Sequence, residues 1–384
     1  MSDFSFLTVP QLLIERGAQQ RLGELLVKRF GALRTVVVTD AGLHRSGLLA
    51  PALDSLRRSG LALLVIDEVV GDPPDSVVLS AAAQARAFGA QLVLGLGGGS
   101  SMDVAKLVAL LANSSQPLAE MYGVDKVQGE RLPLVQMPTT AGTGSEVTAI
   151  AIVTTGQHSK SGIVARQLMA DLAVLDATLT SGLPRAVTAA TGIDAMVHAI
   201  EAFTSARLKN PLSDQLACQA LRLLSAHLLA ACDNGQDLAA REAMLLGAML
   251  AGQAFANAPV GAVHALAYPL GARFHLPHGL SNALVLAPVL RFNALTAAAS
   301  YAPLAEILAP QASGDAAARA DAVIAALSAL MAATGLPLRL RDHGISADDL
   351  PQLAADAMLQ TRLLVNNPRS LSQADALALY QQAL

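Results

Sequence analysis

The sequence predicts an α/β dinucleotide-binding domain built on a Rossmann-like parallel sheet, followed by an all-α helical domain. Three observations carry this. Up to Pro184, short aliphatic runs alternate with helix-like segments. From Arg185 onward the segments are long, rich in Ala and Leu, helix-periodic and without a convincing strand. Between them, QLVLGLGGGSSMDVAKLVALLA reads as a strand, a glycine turn and a helix. The change of class divides the 384 residues into domains 1–184 and 185–384.

In chain order, RTVVVTD (34–40), LALLVIDEV (61–69) and QLVLGLGGG (91–99) are strands ending in turn residues, and 42–59, 76–88 and 101–113 are helices. Continuously apolar strands belong to a parallel sheet covered on both faces. LPLVQMPTTAGTGS (132–145) is a strand running into a glycine-rich turn, and ADLAVLDATLTSGLP (170–184) is another strand and a loop. Helices follow over 185–205, 211–231, 238–257, 260–269, 279–294, 300–309, 316–334, 347–359 and 371–383.

Composition narrows the function. The chain is 53% apolar but only 3% aromatic and has no Trp, so Ala, Leu and Val must pack helices closely. A formal charge of −4 offers no electrostatic footprint for nucleic acid or an anionic membrane. Met244 to Ala267 is apolar on average, yet Gln253, Asn257, Pro259 and His264 interrupt it, so it reads as buried helix plus loop. The start lacks the basic and apolar regions of a signal peptide. Cys218 and Cys232 have no CxxC spacing and suit reduced, cytoplasmic thiols.

Two loops suit a nucleotide. Gly97, Gly98 and Gly99 let the backbone approach a ligand, and the helix starting near Ser101 aims free N–H groups and a positive dipole end at the turn. Ser100 and Asp103 also form an S-x-x-D capping pattern. Neither G-x-G-x-x-G nor a P-loop is present. PTTAGTGSEVT offers the hydroxyls of Thr139, Thr140, Thr143 and Ser145. Asp40, at the carboxyl end of its strand, can accept from ribose hydroxyls and would repel a 2′-phosphate, favouring NAD over NADP; a plain strand-terminal cap is the lesser alternative.

Asp194 and His198, spaced i, i+4, share a helix face, and His264 and His278 follow downstream. A carboxylate with three imidazoles suits iron, zinc, cobalt or nickel. Any one of these histidines alone reads more readily as a packed core residue; for the four together, local chemistry leaves the choice open.

In order and separation, GGGSSMDVAK, PTTAGTGSEVT, GIDAMVHAIEAFTS and HALAYPLGARFHLPHGLSNA resemble the iron-containing (group III) alcohol dehydrogenases, across essentially the whole chain. The resemblance implies a dehydroquinate-synthase-like architecture with the active site in the cleft between the domains. It implies Asp194, His198, His264 and His278 as ligands of Fe²⁺, or in some relatives Zn²⁺. It implies Gly98, Gly99, Ser100, Thr139, Thr140 and Asp40 around the nucleotide, with Lys160 of the HSKSG segment near the nicotinamide-side ribose; Ser101, where the helix starts, is a further candidate for the nucleotide. Small apolar or modestly polar alcohols, homodimers or larger homo-oligomers, and hydride transfer to NAD follow as expectations. Many relatives carry a second histidine four residues after the third ligand; Tyr268 stands there in this chain. Tyrosine is a poorer proton acceptor than imidazole at neutral pH, so Tyr268 and His275 are both candidates for moving the alcohol proton. A same-fold lyase using NAD transiently would need more cationic groups than Arg273 near the ligand segments. A silent NAD-binding module would not need all four ligand positions filled.

Overall fold

The computed structural model describes residues 3–31, 33–156 and 159–384. Contacts divide it into two compact units, Leu7–Gly182 and Leu183–Leu384, the latter joined by residues up to Phe6.

The first unit contains strands β1 (Leu12–Ile14), β2 (Arg34–Asp40), β3 (Ala62–Val69), β4 (Leu92–Gly97), β5 (Gly123–Val124), β6 (Leu134–Pro138), β7 (Ile150–Thr155), β8 (Ser159–Val164) and β9 (Leu172–Leu175). Its helices are α1 (Leu22–Phe30), α2 (Ala41–Ser46), α3 (Ala50–Arg58), α4 (Asp75–Phe88) and α5 (Gly99–Leu111). Six strands form a sheet in the order β1-β9-β6-β4-β2-β3, with every pairing parallel. Alternate residues of these strands, among them Val37, Leu94, Met137 and Val174, meet Leu22 and Leu26 of α1 and Leu53 and Leu56 of α3 in one apolar layer. The strand order reverses between β2 and β4, where a parallel sheet opens a crevice beyond the carboxyl ends of its strands.

Two expectations need correction, and one region had been assigned no element. The helix expected over 42–59 is two helices, because Gly47 adopts φ 79 as the left-handed end of α2 and Pro51 restarts the chain in α3. The region between 145 and 170 holds an antiparallel pair, β7 with β8, and β5 joins β8 in a second, three-stranded sheet. Its sequence signal was the short aliphatic run Ala149–Val153; in the fold, burial alternates along Ile150–Val153, so the strand is half-buried. The S-x-x-D cap does not form: α5 begins at Gly99 with Gly98 as its cap and no capping side chain.

In the second unit, α6 (Arg185–Thr204), α7 (Pro211–Asp233), α8 (Leu238–Asn257), α9 (Ala262–Phe274) and α10 (His278–Tyr301) lead into further helices ending at Ala383. The stretch from Met244 to Ala267 covers parts of α8 and α9, which meet at a 108° bend. By length and composition the helices His278–Leu308 and Ala316–Thr334 are apolar enough to cross a membrane. Small residues let the helices cross closely. A Cβ on Gly192 of α6 would stand 2.5 Å from Leu228 and 2.7 Å from Met244. One on Gly279 of α10 would stand 2.2 Å from the Ala190 carbonyl oxygen of α6, a backbone atom that cannot turn aside.

Gly279→Ala is therefore expected to destabilise the metal-free protein by about 1–3 kcal/mol, the usual cost of overpacking, as read by urea denaturation.

Candidate metal centre and nucleotide loops

Asp194 and His198 project from one face of α6, His264 from the first turn of α9, and His278 is the first residue of α10, set by Pro277. One ligand atom from each lies within 4.8 Å of all the others. Asp194, His198 and His264 are buried, and the His278 side chain is 28% exposed. His198 stacks between Phe255, at 4.3 Å between ring centroids, and His264, at 4.7 Å. His264 and His278 are 5.3 Å apart, and the Tyr268 ring lies 5.9 Å from His278.

Asn282, one turn into α10, was not singled out from the sequence although it stands in the HGLSNA segment. Its amide nitrogen donates to Asp194 Oδ1 at 2.6 Å and lies 3.2 Å from His264 Nε2 and 3.4 Å from His278 Nε2. Its own Oδ1 is buried without a hydrogen-bond partner. Burial would raise the Asp194 carboxyl pKa, but His198, His278, His264 and the Asn282 amide together hold it below the ordinary value. Acceptor atoms converging from four side chains fit a cation better than they fit one another. The mixture of one carboxylate and three imidazoles fits a divalent first-row ion.

Glu201, a further three residues along α6, was also missed. Its Oε2 accepts from His264 Nδ1 at 2.6 Å, and its Oε1 accepts from the Val263 backbone N–H at 2.7 Å. The signal was available in the i, i+4, i+7 spacing of 194, 198 and 201, which continues one helix face. The bend before α9 is pinned from elsewhere: Ser205 Oγ donates to Pro259 O at 2.7 Å, and Asn366 Nδ2 donates to Val260 O at 2.9 Å. His275 is exposed at the end of α9 with φ 54, and among the described residues it belongs to neither the ligand cluster nor its ring contacts.

In the first unit, β2, β4 and β6 are neighbours, so Asp40, the Gly97–Gly99 turn and Thr139 lie at adjacent carboxyl ends. Asp40 Oδ1 caps α2 by accepting from Leu43 N at 2.9 Å. The three glycines differ. A Cβ on Gly97 would stand 2.7 Å from Ser101 Oγ and one on Gly99 2.7 Å from Thr143, so this space is filled by protein; at Gly98 the nearest atom, on Thr140, would be 3.7 Å away. The uncapped first turn of α5, with its Ser100 N–H among the open donors, and the buried, unpartnered Thr139 Oγ1 fit a phosphate-bearing ligand.

Ser145 is committed elsewhere. Its hydroxyl donates to Asp103 at 2.6 Å and accepts from Lys106 Nζ at 2.7 Å. Lys106, fully buried, also reaches Thr148 Oγ1 at 3.1 Å and Ile150 O at 2.6 Å, tying α5 to the second loop. Burial lowers its pKa, opposed by Asp103 and Glu146. Lys160 pairs with Asp72 at 2.7 Å, and His158 of the same segment lies outside the described residues. Glu146 is buried, which pushes its pKa up to about 7 against the pull of its backbone hydrogen bond and Lys106.

Comparison with known proteins agrees with this geometry. Residues 10–177 match the family described as iron-containing alcohol dehydrogenase, and 188–384 match the Fe-containing alcohol dehydrogenase family, C-terminal. Long-chain-alcohol dehydrogenase 1 of Geobacillus thermodenitrificans is 40% identical over 93% of this chain and 91% of its own. The NAD-dependent methanol dehydrogenase of Bacillus methanolicus is 33% identical over 99% of this chain and 100% of its own. A crystal structure of 1,3-propanediol oxidoreductase superposes with a TM-score of 0.94 at 33% identity, covering both chains completely. The chain belongs to the iron-containing alcohol dehydrogenase family, a class of oxidoreductases.

A carboxyl whose pKa is higher folded than unfolded binds more protons in the folded state, so it lowers stability as pH rises from about 4.5 to about 7. Glu146→Gln removes that loss. Its advantage over the wild type in urea denaturation should grow across this window, reach on the order of 3 kcal/mol and level off above it.

Proposed function

We propose that this chain is an alcohol dehydrogenase, or in the reverse direction an aldehyde or ketone reductase, that exchanges hydride between a small alcohol and NAD at a site holding Fe²⁺, with Zn²⁺ as an alternative ion. The observation that carries the reading is the single buried point on which Asp194, His198, His264 and His278 converge, in a chain of this family. When bound, the ion supplies a Lewis acid for the substrate oxygen, and the nicotinamide takes or gives the hydride.

The residues would divide the work. Asp194 and the three imidazoles hold the ion with one negative charge against two positive ones, which leaves it electrophilic. The uncapped turn of α5 and the Thr139 and Thr140 hydroxyls receive the phosphates, with Gly98 giving them room; Asp40 accepts from ribose hydroxyls, and Lys160 stands toward the nicotinamide side. Tyr268, buried with its ring against His278, carries one hydroxyl through which the substrate proton can pass; His275, exposed at the end of the same helix, is the second group proposed for that proton.

The preferred substrates are small, apolar or modestly polar alcohols, since Ala, Leu, Val and Met dominate the helical unit. Assembly into homodimers or larger homo-oligomers and a cytoplasmic setting complete the proposal; two free thiols, Cys218 and Cys232, suit a reducing compartment.

Incubation of the iron-loaded protein with NAD and a panel of short alcohols should give steady NADH accumulation, and Asp194→Ala should abolish it together with bound metal, measured by elemental analysis. Near-normal turnover by that variant after metal stripping would remove the assigned centre. Asp40→Asn keeps the oxygen that caps α2 while losing the charge. It should raise the ratio of kcat/KM for NADP over NAD on the order of tenfold, the size of one unscreened charge contact.

A further inference from the structure

We infer that Glu201 is a positioning residue of the metal centre: its carboxylate holds the proton of His264 on Nδ1 and so keeps Nε2 bare and aimed at the ion. The inference rests on the metal-site reading proposed above and adds a residue to it. Glu201 is 5% exposed, and among the described residues no lysine or arginine pairs with it; its partners are two N–H groups. A neutral imidazole carries one proton and one lone pair, and the nitrogen facing a carboxylate keeps the proton. With Nδ1 so engaged at 2.6 Å, the other nitrogen has the free lone pair, and it is Nε2 that lies among the ligand atoms, 3.2 Å from the Asn282 amide.

The second oxygen fixes where this happens. By accepting from the Val263 N–H, Oε1 anchors the opening turn of α9 one residue before His264, and Asn367 Oδ1 accepts from the neighbouring Ala262 N–H at 3.4 Å. Gly261 lets both side chains approach, since a Cβ there would come within 3.4 Å of Glu201 Oε1 and 3.3 Å of Asn367 Oδ1. Because Glu201 shares α6 with Asp194 and His198, one helix supplies two converging groups directly and sets the tautomer and direction of a third. A carboxylate is required for both tasks. In an amide of the same shape one of the two acceptor oxygens becomes a donor, which must face either the Val263 N–H or the His264 Nδ1–H.

Glu201→Gln in the full-length protein tests this. The wild-type, Glu201→Gln and His264→Ala proteins are stripped with chelator, and Zn²⁺ affinity is read by competition with a chromophoric chelator. The histidine tautomers of the metal-free proteins are read from long-range ¹H–¹⁵N spectra of ¹⁵N-histidine-labelled samples, where 8 histidines give few signals and His264→Ala assigns the missing one. We expect the wild-type His264 proton on Nδ1, a shift of that tautomer in Glu201→Gln, and a loss of Zn²⁺ affinity of about 10–100-fold. A wild-type His264 protonated on Nε2 would overturn the inference even if the variant fails to fold. So would a Glu201→Gln protein that binds Zn²⁺ as tightly as wild type while His264→Ala does not. Undiminished affinity in His264→Ala would overturn both the inference and the metal-site reading beneath it.

Discussion

Burying several hydrogen-bond acceptors so that they face one another is unfavourable unless something positive stands between them. Asp194, His198, His264 and His278 are in that situation, and the neighbouring polar groups are arranged around it. The Asn282 amide faces three of the four and cannot satisfy all of them at once. The arrangement persists because each side chain is fixed from outside the cluster: by helix geometry for Asp194 and His198, by Glu201 for His264, and by the start of a helix for His278. Binding a cation and holding the helical unit in its observed form are thus linked energetically.

The composition has its explanation in the same constraint. Helices that bring short side chains such as aspartate and histidine to one point must run close together, and close crossings need small residues where backbones meet. Gly192 and Gly279 occupy such crossings on either side of Asp194, and Ala fills much of the remainder. Aromatic side chains would hold the helices apart, so their scarcity suits the packing. Of the few that are buried there, Phe255 serves as a flat wall against which His198 stacks.

Much of this could be read from the chain itself. Continuous aliphatic runs gave β2, β4, β6 and β9, because strands covered on both faces carry an unbroken apolar signal. The helical unit followed from long periodic segments, and the four converging residues from their spacing and motif context. Weaker signals went unread. The short aliphatic run of β7 was not assigned, and the pairing of Ser145 with Asp103 and Lys106 links residues 42 and 39 positions apart, which no local pattern encodes. Local sequence also misled: Ser100 and Asp103 have the spacing of a helix cap, yet Asp103 is drawn to a tertiary partner. Glu201 was hidden for a different reason, since a glutamate on a helix next to known ligands ordinarily reads as a solvated residue.

The bend between α8 and α9 brings a temporal consequence. A non-helical break in a buried helix pair leaves backbone carbonyls that need donors, and one of these, on Val260, is met by Asn366, 106 residues further along the chain. The neighbouring Asn367 reaches the first turn of the helix that carries His264. During synthesis, the chain could present all four converging side chains well before these asparagines leave the ribosome, but the turn that aims His264 would have only Glu201 and Ser205 to hold it and would still lack its two asparagine anchors. Completion of the centre is therefore a late event in folding, governed by a segment that contributes none of its converging groups.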